Sequence, residues 1–176
     1  MRQGPRPRLA ASGLVALAAV SAGCTGSVPP AARGGSELLV LTANSAASNP
    51  DFSGVASGVF RAKGTFPGVG DGQDASLAKL PGGTFVVSHP AGAQKVTRES
   101  VNARSCAVVL ERTGPFTVGQ GSGRYKGITG YGTDTAEFTG VMPRKDGKCV
   151  TSASAPPVRG TARLVITAKG SVVLPP

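Results

Sequence analysis

Gly119–Gly132 reads GQGSGRYKGITGYG. Glycine stands at 119, 121, 123, 127, 130 and 132, and the chain's two tyrosines, Tyr125 and Tyr131, stand among them. A dinucleotide fingerprint needs G-x-G-x-x-G between a strand and a helix. Counting from Gly119 the sixth position is Arg124, and from Gly121 it is Lys126, so neither frame fits. A phosphate-cradling P-loop would need Gly-Lys-Ser/Thr, which the run lacks. Glycine inside a strand instead marks a bulge, a sharp bend or a close approach of two backbones. Small barrels need such bends to turn their corners. The run therefore reads as a structural glycine-rich hairpin built from Gly119, Gly121, Gly123, Tyr125, Gly127, Gly130, Tyr131 and Gly132. Each tyrosine ring is expected to cover the bare backbone of a neighbour.

The flanks carry the same message. Downstream, Gly130–Val141 sets Thr135, Glu137 and Thr139 opposite Ala136, Phe138 and Gly140, a period of two. Upstream, Cys106–Arg112 (CAVVLER) is a strong strand, and Phe116–Val118 begins another. Gly54–Phe66 alternates, with Val59, Arg61 and Lys63 on one parity and Phe60, Ala62 and Gly64 on the other. Pro67–Gln73 is a turn-rich break. Ala75–Leu80, Thr84–Ser88, Gln94–Ser100 and Ala162–Ala168 complete the series, the last extendable past Gly170 to Leu174. No segment holds a helical period for three turns. Eight to ten short strands between glycine and proline turns predict an all-β barrel or sandwich, and an up-and-down barrel also closes its own edges.

The segment Gly114–Phe138, with GxGxYxGxxGxG before a strand and Lys148-Cys149 after it, resembles small exported actinobacterial proteins whose domain is similar to the allene oxide cyclase and dirigent barrels. Leu80-Pro81-Gly82-Gly83-Thr84-Phe85 and Cys106 fit the same pattern. The resemblance covers about residues 52–176. It implies a single antiparallel eight-stranded, up-and-down barrel with an apolar interior. It carries no catalytic residue over, because none of the plant enzymes' catalytic groups matches a position here.

The amino terminus reads as a processing signal. Arg2, Arg6 and Arg8 precede the apolar stretch Leu9–Val20, too short for a membrane span of about 20 apolar residues. No Arg-Arg pair occurs there, which favours the general secretory route. Ser21-Ala22-Gly23-Cys24 resembles a bacterial lipobox, with Ser21 where Leu is usual. Cleavage is expected between Gly23 and Cys24, with diacylglyceryl on Cys24. The other reading is a secretory signal cut near Ala22 that leaves the protein free. Thr25–Gly35, with Pro29-Pro30 and Gly34-Gly35, reads as a flexible tether. Residues 24–51 are given to the lipidated Cys and tether, with a strand possible over 36–42, and 52–176 to the barrel.

The full chain of 176 residues carries a net charge of +10. Cleavage removes 23 residues with three arginines and no acid, which leaves 153 residues with 16 Lys+Arg, 9 Asp+Glu and a net charge of +7. Outside a cell such a charge suits anionic lipid headgroups or anionic envelope polymers. Nucleic-acid binding is not expected, because no basic cluster is interleaved with aromatics. Lys126, Arg144, Lys145 and Lys148 are near enough in sequence for a modest basic patch.

Of the three cysteines, the lipobox uses Cys24, leaving Cys106 and Cys149 to pair in an oxidising compartment. Two cysteines and one distant histidine, His89, make no zinc site. His89 is expected at a strand end, and no G-x-S-x-G elbow accompanies it. Asp71, Asp74, Asp134, Glu137 and Asp146 read as residues in or near turns, while Glu99 and Glu111 could face a lumen and pair with Arg98, Arg104 or Arg112. No catalytic site, metal or cofactor is expected. Three functions remain open: a membrane-anchored binding module whose lumen or mouth holds a small apolar or amphipathic ligand, a structural envelope protein with a filled core, and an enzyme of cyclase or isomerase type.

Overall fold

A computed structural model describes residues 31–44, 51–68, 75–152 and 155–176. The signal segment, Cys24 and the turn residues Asp71 and Asp74 lie outside them. Strands follow one another as β1 (Arg33–Ala43), β2 (Phe52–Gly58), β3 (Ala62–Phe66), β4 (Ala75–Leu80), β5 (Gly83–Ser88), β6 (Lys95–Val101) and β7 (Ala107–Gly119). A 3-10 turn at Gly123–Tyr125 leads to β8 (Thr129–Val141), the short β9 (Arg144–Lys145) and β10 (Lys148–Cys149), and finally β11 (Arg163–Leu174).

All pairings are antiparallel. β1 to β5 meander, β7 and β8 form a long hairpin, and β11 lies between β8 and β1. The pairing of β5 with β7 closes the ring into an eight-stranded barrel, one of the two architectures that the strand pattern allows and the one that the resemblance implies. β5 and β6 share one edge of β7: β5 takes Thr117–Gly119 and β6 takes Val108–Thr113. The stretch His89–Gln94 between them is an excursion that leaves β7 unpaired on that side at 114–116. Pro115, which cannot donate a ladder hydrogen bond, falls in this gap.

Three details depart from the sequence reading. Gly54–Phe66 is not one alternating strand but a hairpin, turned at Val59–Arg61 where Gly58 takes a φ of +145°. Ala107–Arg112 and Phe116–Val118 are parts of the single strand β7, with Cys106 just before it. The barrel also begins earlier than residue 52, because β1 pairs with β11 over eleven residues from Arg33 to Ala43.

Alternation decides the interior. The inward parity carries Leu39 and Leu41 of β1, Phe52 and Ala56 of β2, Phe66, Ala78, Leu80, Phe85, Val87, Phe116, Val118, Ala168 and Val172, all buried. One end of the barrel is closed. There the loop after β7 docks on the β4–β5 turn: Ser122 N donates to Thr84 O at 2.8 Å and Arg124 N to Gly82 O at 2.9 Å. Gly123 sits at φ +57°, and a Cβ there would lie 2.2 Å from Gly82 O, so only glycine suits the position. This docking drives Tyr125 into the barrel, where its ring meets Phe60 and Phe85 edge-on at 5.2 and 5.4 Å. β1 enters and β11 leaves at this same end, since Arg33 pairs with Leu174.

Candidate functional site

The interior beneath Tyr125 is filled by its own side chains, as an eight-stranded barrel allows. Space remains at the opposite, open end. There β6, β7 and β8 run on past the ring as an overhanging sheet. Its inward face continues the parity of the core through Val108, Leu110, Arg112 and Phe138, joined by Glu99 and Val101 of β6. Opposite this face lies the chain after β8, with Met142 and the Pro156-Pro157 pair. Between them is a pocket of about 440 Å3, within the range of about 300–1,000 Å3 typical of small-molecule sites. Its lining is mostly aliphatic and aromatic, with the Arg112 guanidinium and the Glu99 carboxylate as charged groups.

The cover of this pocket is tied down. Cys106, just before β7, is disulfide-bonded to Cys149 of β10 with a Cα separation of 5.4 Å. The bond expected from the cysteine count is therefore present. Met142 N donates to Cys106 O at 2.9 Å, and Val158 N to Val141 O at 2.7 Å. Thr161 Oγ1 accepts from Val141 N at 3.0 Å. Arg144 donates to the carbonyls of Gly147, Ala103 and Arg104, which staples the β9–β10 hairpin to the β6–β7 turn.

A polar cluster lies below the mouth. The Asp134 side chain is inward-facing on β8 and only 2% exposed, not in a turn as its sequence neighbourhood suggests. Gln94 Nε2 donates to its Oδ1 at 3.0 Å, and His89 Nδ1 lies 3.7 Å from its Oδ2. His89 does fall just past a strand end, as expected, but on the excursion that covers this aspartate. Among the described residues His89 makes no hydrogen bond to a hydroxyl or thiol, so no nucleophile joins the pair. A second buried acid, Glu37, is 5% exposed near the closed end, between Gly58 of β2 and Gly170 of β11. Its Oε2 accepts from Phe60 N at 3.2 Å, while its Oε1 and the Tyr125 hydroxyl are buried without partners. Burial raises the Glu37 pKa, against the lowering effect of backbone donors including Phe60.

The other expected site residues divide. Gly119 ends β7, Gly121, Gly123 and Gly127 shape the closed-end loop, and Gly130 and Gly132 lie in β8. Gly132 faces Gly170 so closely that a Cβ on it would lie 2.6 Å from the Gly170 Cα, the close approach expected of a strand glycine. Tyr125 covers the core as read, but the Tyr131 side chain faces outward and is 71% exposed, because its position has the opposite parity to Gly130 and Gly132. Glu111 also points outward, accepting from Thr97 Oγ1 at 2.7 Å, and Glu99 lines the mouth. Among the described residues neither forms an ion pair with Arg98, Arg104 or Arg112. Lys126 does not join a patch with Arg144, Lys145 and Lys148, because the length of β8 separates them. Met142 and the Pro156-Pro157 pair escaped the sequence reading; they reach the pocket only through the disulfide-pinned return of the chain.

Comparison with protein-family models, with curated proteins and with solved structures finds no match.

Proposed function

We propose that this chain is an extracytoplasmic lipoprotein, held to the cell membrane through lipid on Cys24, whose barrel binds a small amphipathic molecule at its mouth. The observation that carries the binding part is the pocket of about 440 Å3 between the overhanging sheet and the disulfide-pinned segment. Leu110, Phe138 and Met142 offer an apolar wall, and Arg112 and Glu99 offer polar anchors for one end of a ligand. The anchor part is supported by Ser21-Ala22-Gly23-Cys24 behind a basic, apolar leader and by the disulfide, which suits an oxidising space. The barrel and its glycine-shaped loop also agree with a kinship to allene oxide cyclase and dirigent domains, which we hold as a proposal.

The binding test is a thermal-shift and native mass-spectrometry screen against lipids and isoprenoids. A ligand at a hundredfold excess over Kd should stabilise the fold by about 2–3 kcal/mol, and Phe138→Arg should abolish the shift. A screen with no hit, or a hit indifferent to Phe138→Arg, would overturn the pocket. The anchor is tested separately: Cys24→Ala should release the protein into the medium.

A second reading is a structural envelope protein with no ligand, which the filled interior around Tyr125, Phe60 and Phe85 favours. The same screen separates the two.

A further inference from the structure

The two ends of the barrel differ in charge. At the closed end stand Arg33 at the start of β1, Arg61 in the β2–β3 turn, Arg124 and Lys126 in the loop after β7, and Lys169 on β11, all exposed. Among the described residues the side-chain carboxylate at that end is Glu37, which is buried. The other described acids, Asp51, Glu99, Glu111, Asp134, Glu137 and Asp146, lie toward the open end or along the walls that lead to it. There they are interspersed with Lys95, Arg98, Arg104, Arg112, Arg144, Lys145, Lys148, Arg159 and Arg163. Among the described residues the closed end is thus basic with no exposed side-chain carboxylate, whereas the open end and walls mix both signs.

That face also carries exposed apolar side chains. Tyr131 of β8 is 71% exposed and Val173 of β11 is 42% exposed. Both share the outward parity of adjacent strands: Tyr131 faces Ser171, and Val173 faces Thr129. Lys169 is the diagonal neighbour of Tyr131 on the same surface. A tyrosine flanked by basic residues suits the headgroup level of a bilayer, where the ring is apolar and the hydroxyl wet. Lysines and arginines near an anionic surface each add to the attraction.

We propose that the closed end is a docking face for an anionic lipid surface, with Tyr131 and Lys169 seated among the headgroups on one wall and Arg33, Arg61, Arg124 and Lys126 distributed around the rim. Its orientation on the cell rests on the lipoprotein reading. Eight residues lie between Cys24 and Arg33, and the tether expected from their composition would keep the closed end about 14–17 Å from the lipid. The thirteen residues of β8 carry the mouth roughly 30–40 Å farther out at 3.3 Å per residue and a barrel tilt. Docked this way, the mouth pocket faces away from the membrane and takes its ligand from the outside.

The test uses residues 25–176, which contain the eleven strands of the described residues and no lipid, so its outcome does not depend on whether Cys24 is acylated. The chain has no tryptophan, so Tyr131→Trp supplies a single fluorescent reporter on the wall of the closed end. With vesicles of phosphatidylcholine containing about one-third phosphatidylglycerol, at about 0.1 M salt, the protein should co-sediment and the emission of the introduced indole should shift to the blue. Pure phosphatidylcholine should do neither. Lys126→Glu with Lys169→Glu should weaken partitioning about tenfold or more, and Lys126→Gln with Lys169→Gln should do so by less. Tyr131→Ser should weaken it too. The open-end pair Lys145→Glu with Lys148→Glu should leave it within about twofold. Equal losses from both ends, or no co-sedimentation with anionic vesicles, would overturn the proposal. So would displacement by soluble poly(glycerol phosphate) with no blue shift on vesicles, which would mean that the face reads a phosphate polymer instead.

Discussion

Gln94 Nε2 donates to Asp134 Oδ1 across 3.0 Å, and the carboxylate that accepts it is buried in the wall of the barrel. The bond fastens the excursion His89–Gln94 over β7 at Gly114, where a Cβ would lie 2.9 Å from the Gln94 side chain. Thr113 Oγ1 donates to the Asp134 carbonyl at 2.8 Å, so β7, β8 and the excursion meet at one residue. This junction lets β5 and β6 share an edge of β7 without opening the barrel.

Asp134→Ala should therefore destabilise the fold by about 2–3 kcal/mol, because it strands a buried amide whose Oε1 already lacks a partner. Asp134→Asn retains an acceptor and should cost about 1 kcal/mol. Equilibrium urea unfolding measures both, and the midpoint should fall without a change in slope. A loss under about 0.5 kcal/mol for the alanine variant would mean that the excursion is held elsewhere.

The sequence exposes the strands because period-two alternation follows from the pleat itself, and it exposes the closure because glycine turns recur at short intervals. Period two sets Ala136 and Phe138 opposite Glu137; β8 runs unbroken through all three, so Glu137 is in a strand rather than near a turn, and Phe138 lines the mouth. What it hides depends on pairing over long separations. Asp134 looks like a turn aspartate because Gly132 and Thr133 precede it, yet its burial follows from a register with Gly114 and Ala168. Glu37 sits in 36–42, read only as a possible strand, and room for it comes from Gly58 and Gly170, distant in the chain. The mouth pocket needs segments about 40 residues apart to be brought together by a disulfide, and local pattern contains no trace of that volume.

Glu37 predicts a pH dependence. Its folded pKa is raised, first by burial, so the folded state binds its proton more tightly than the unfolded state does. The stability from the protonated form is present in full below the ordinary glutamate value of 4.5, and is lost as pH rises through the higher folded value. Glu37→Gln removes that loss while an amide oxygen can still accept from Phe60 N. The variant should be at least as stable as the native protein at pH 7, by up to about 1 kcal/mol, with a flatter Tm between pH 4 and 7. A lower Tm at pH 7 with an unchanged profile would show that the carboxylate is compensated where it lies.

The Cys106–Cys149 bond closes a loop of 43 residues. By chain entropy it should contribute about 4 kcal/mol. Cys106→Ser with Cys149→Ser should lower stability by up to that amount in chemical denaturation. It should also free the β9–β10 hairpin and Met142 from the pocket's edge. Amide hydrogen exchange should then quicken at Met142, Val150 and Val158 more than at Leu39 or Phe85 in the core. Uniform acceleration would mean that the bond supports the whole barrel rather than its mouth.

Tyr125 separates packing from polarity at the closed end. Its ring is fully buried against Phe60 and Phe85, yet its hydroxyl has no hydrogen-bond partner. Burial raises its pKa, the nearby Arg124 opposes this, and Glu37 adds to it. A buried hydroxyl without a partner costs about 1–3 kcal/mol. Tyr125→Phe keeps both edge-to-face contacts and removes that cost, so it should leave stability unchanged or raise it by about 1 kcal/mol. Tyr125→Ala opens a cavity beneath the docked loop and should cost about 3–5 kcal/mol. Thermal unfolding of both variants decides the point. If the phenylalanine variant loses more than about 1 kcal/mol, the hydroxyl is satisfied in solution, and a water shared with Glu37 Oε1 becomes the natural partner to seek by crystallography.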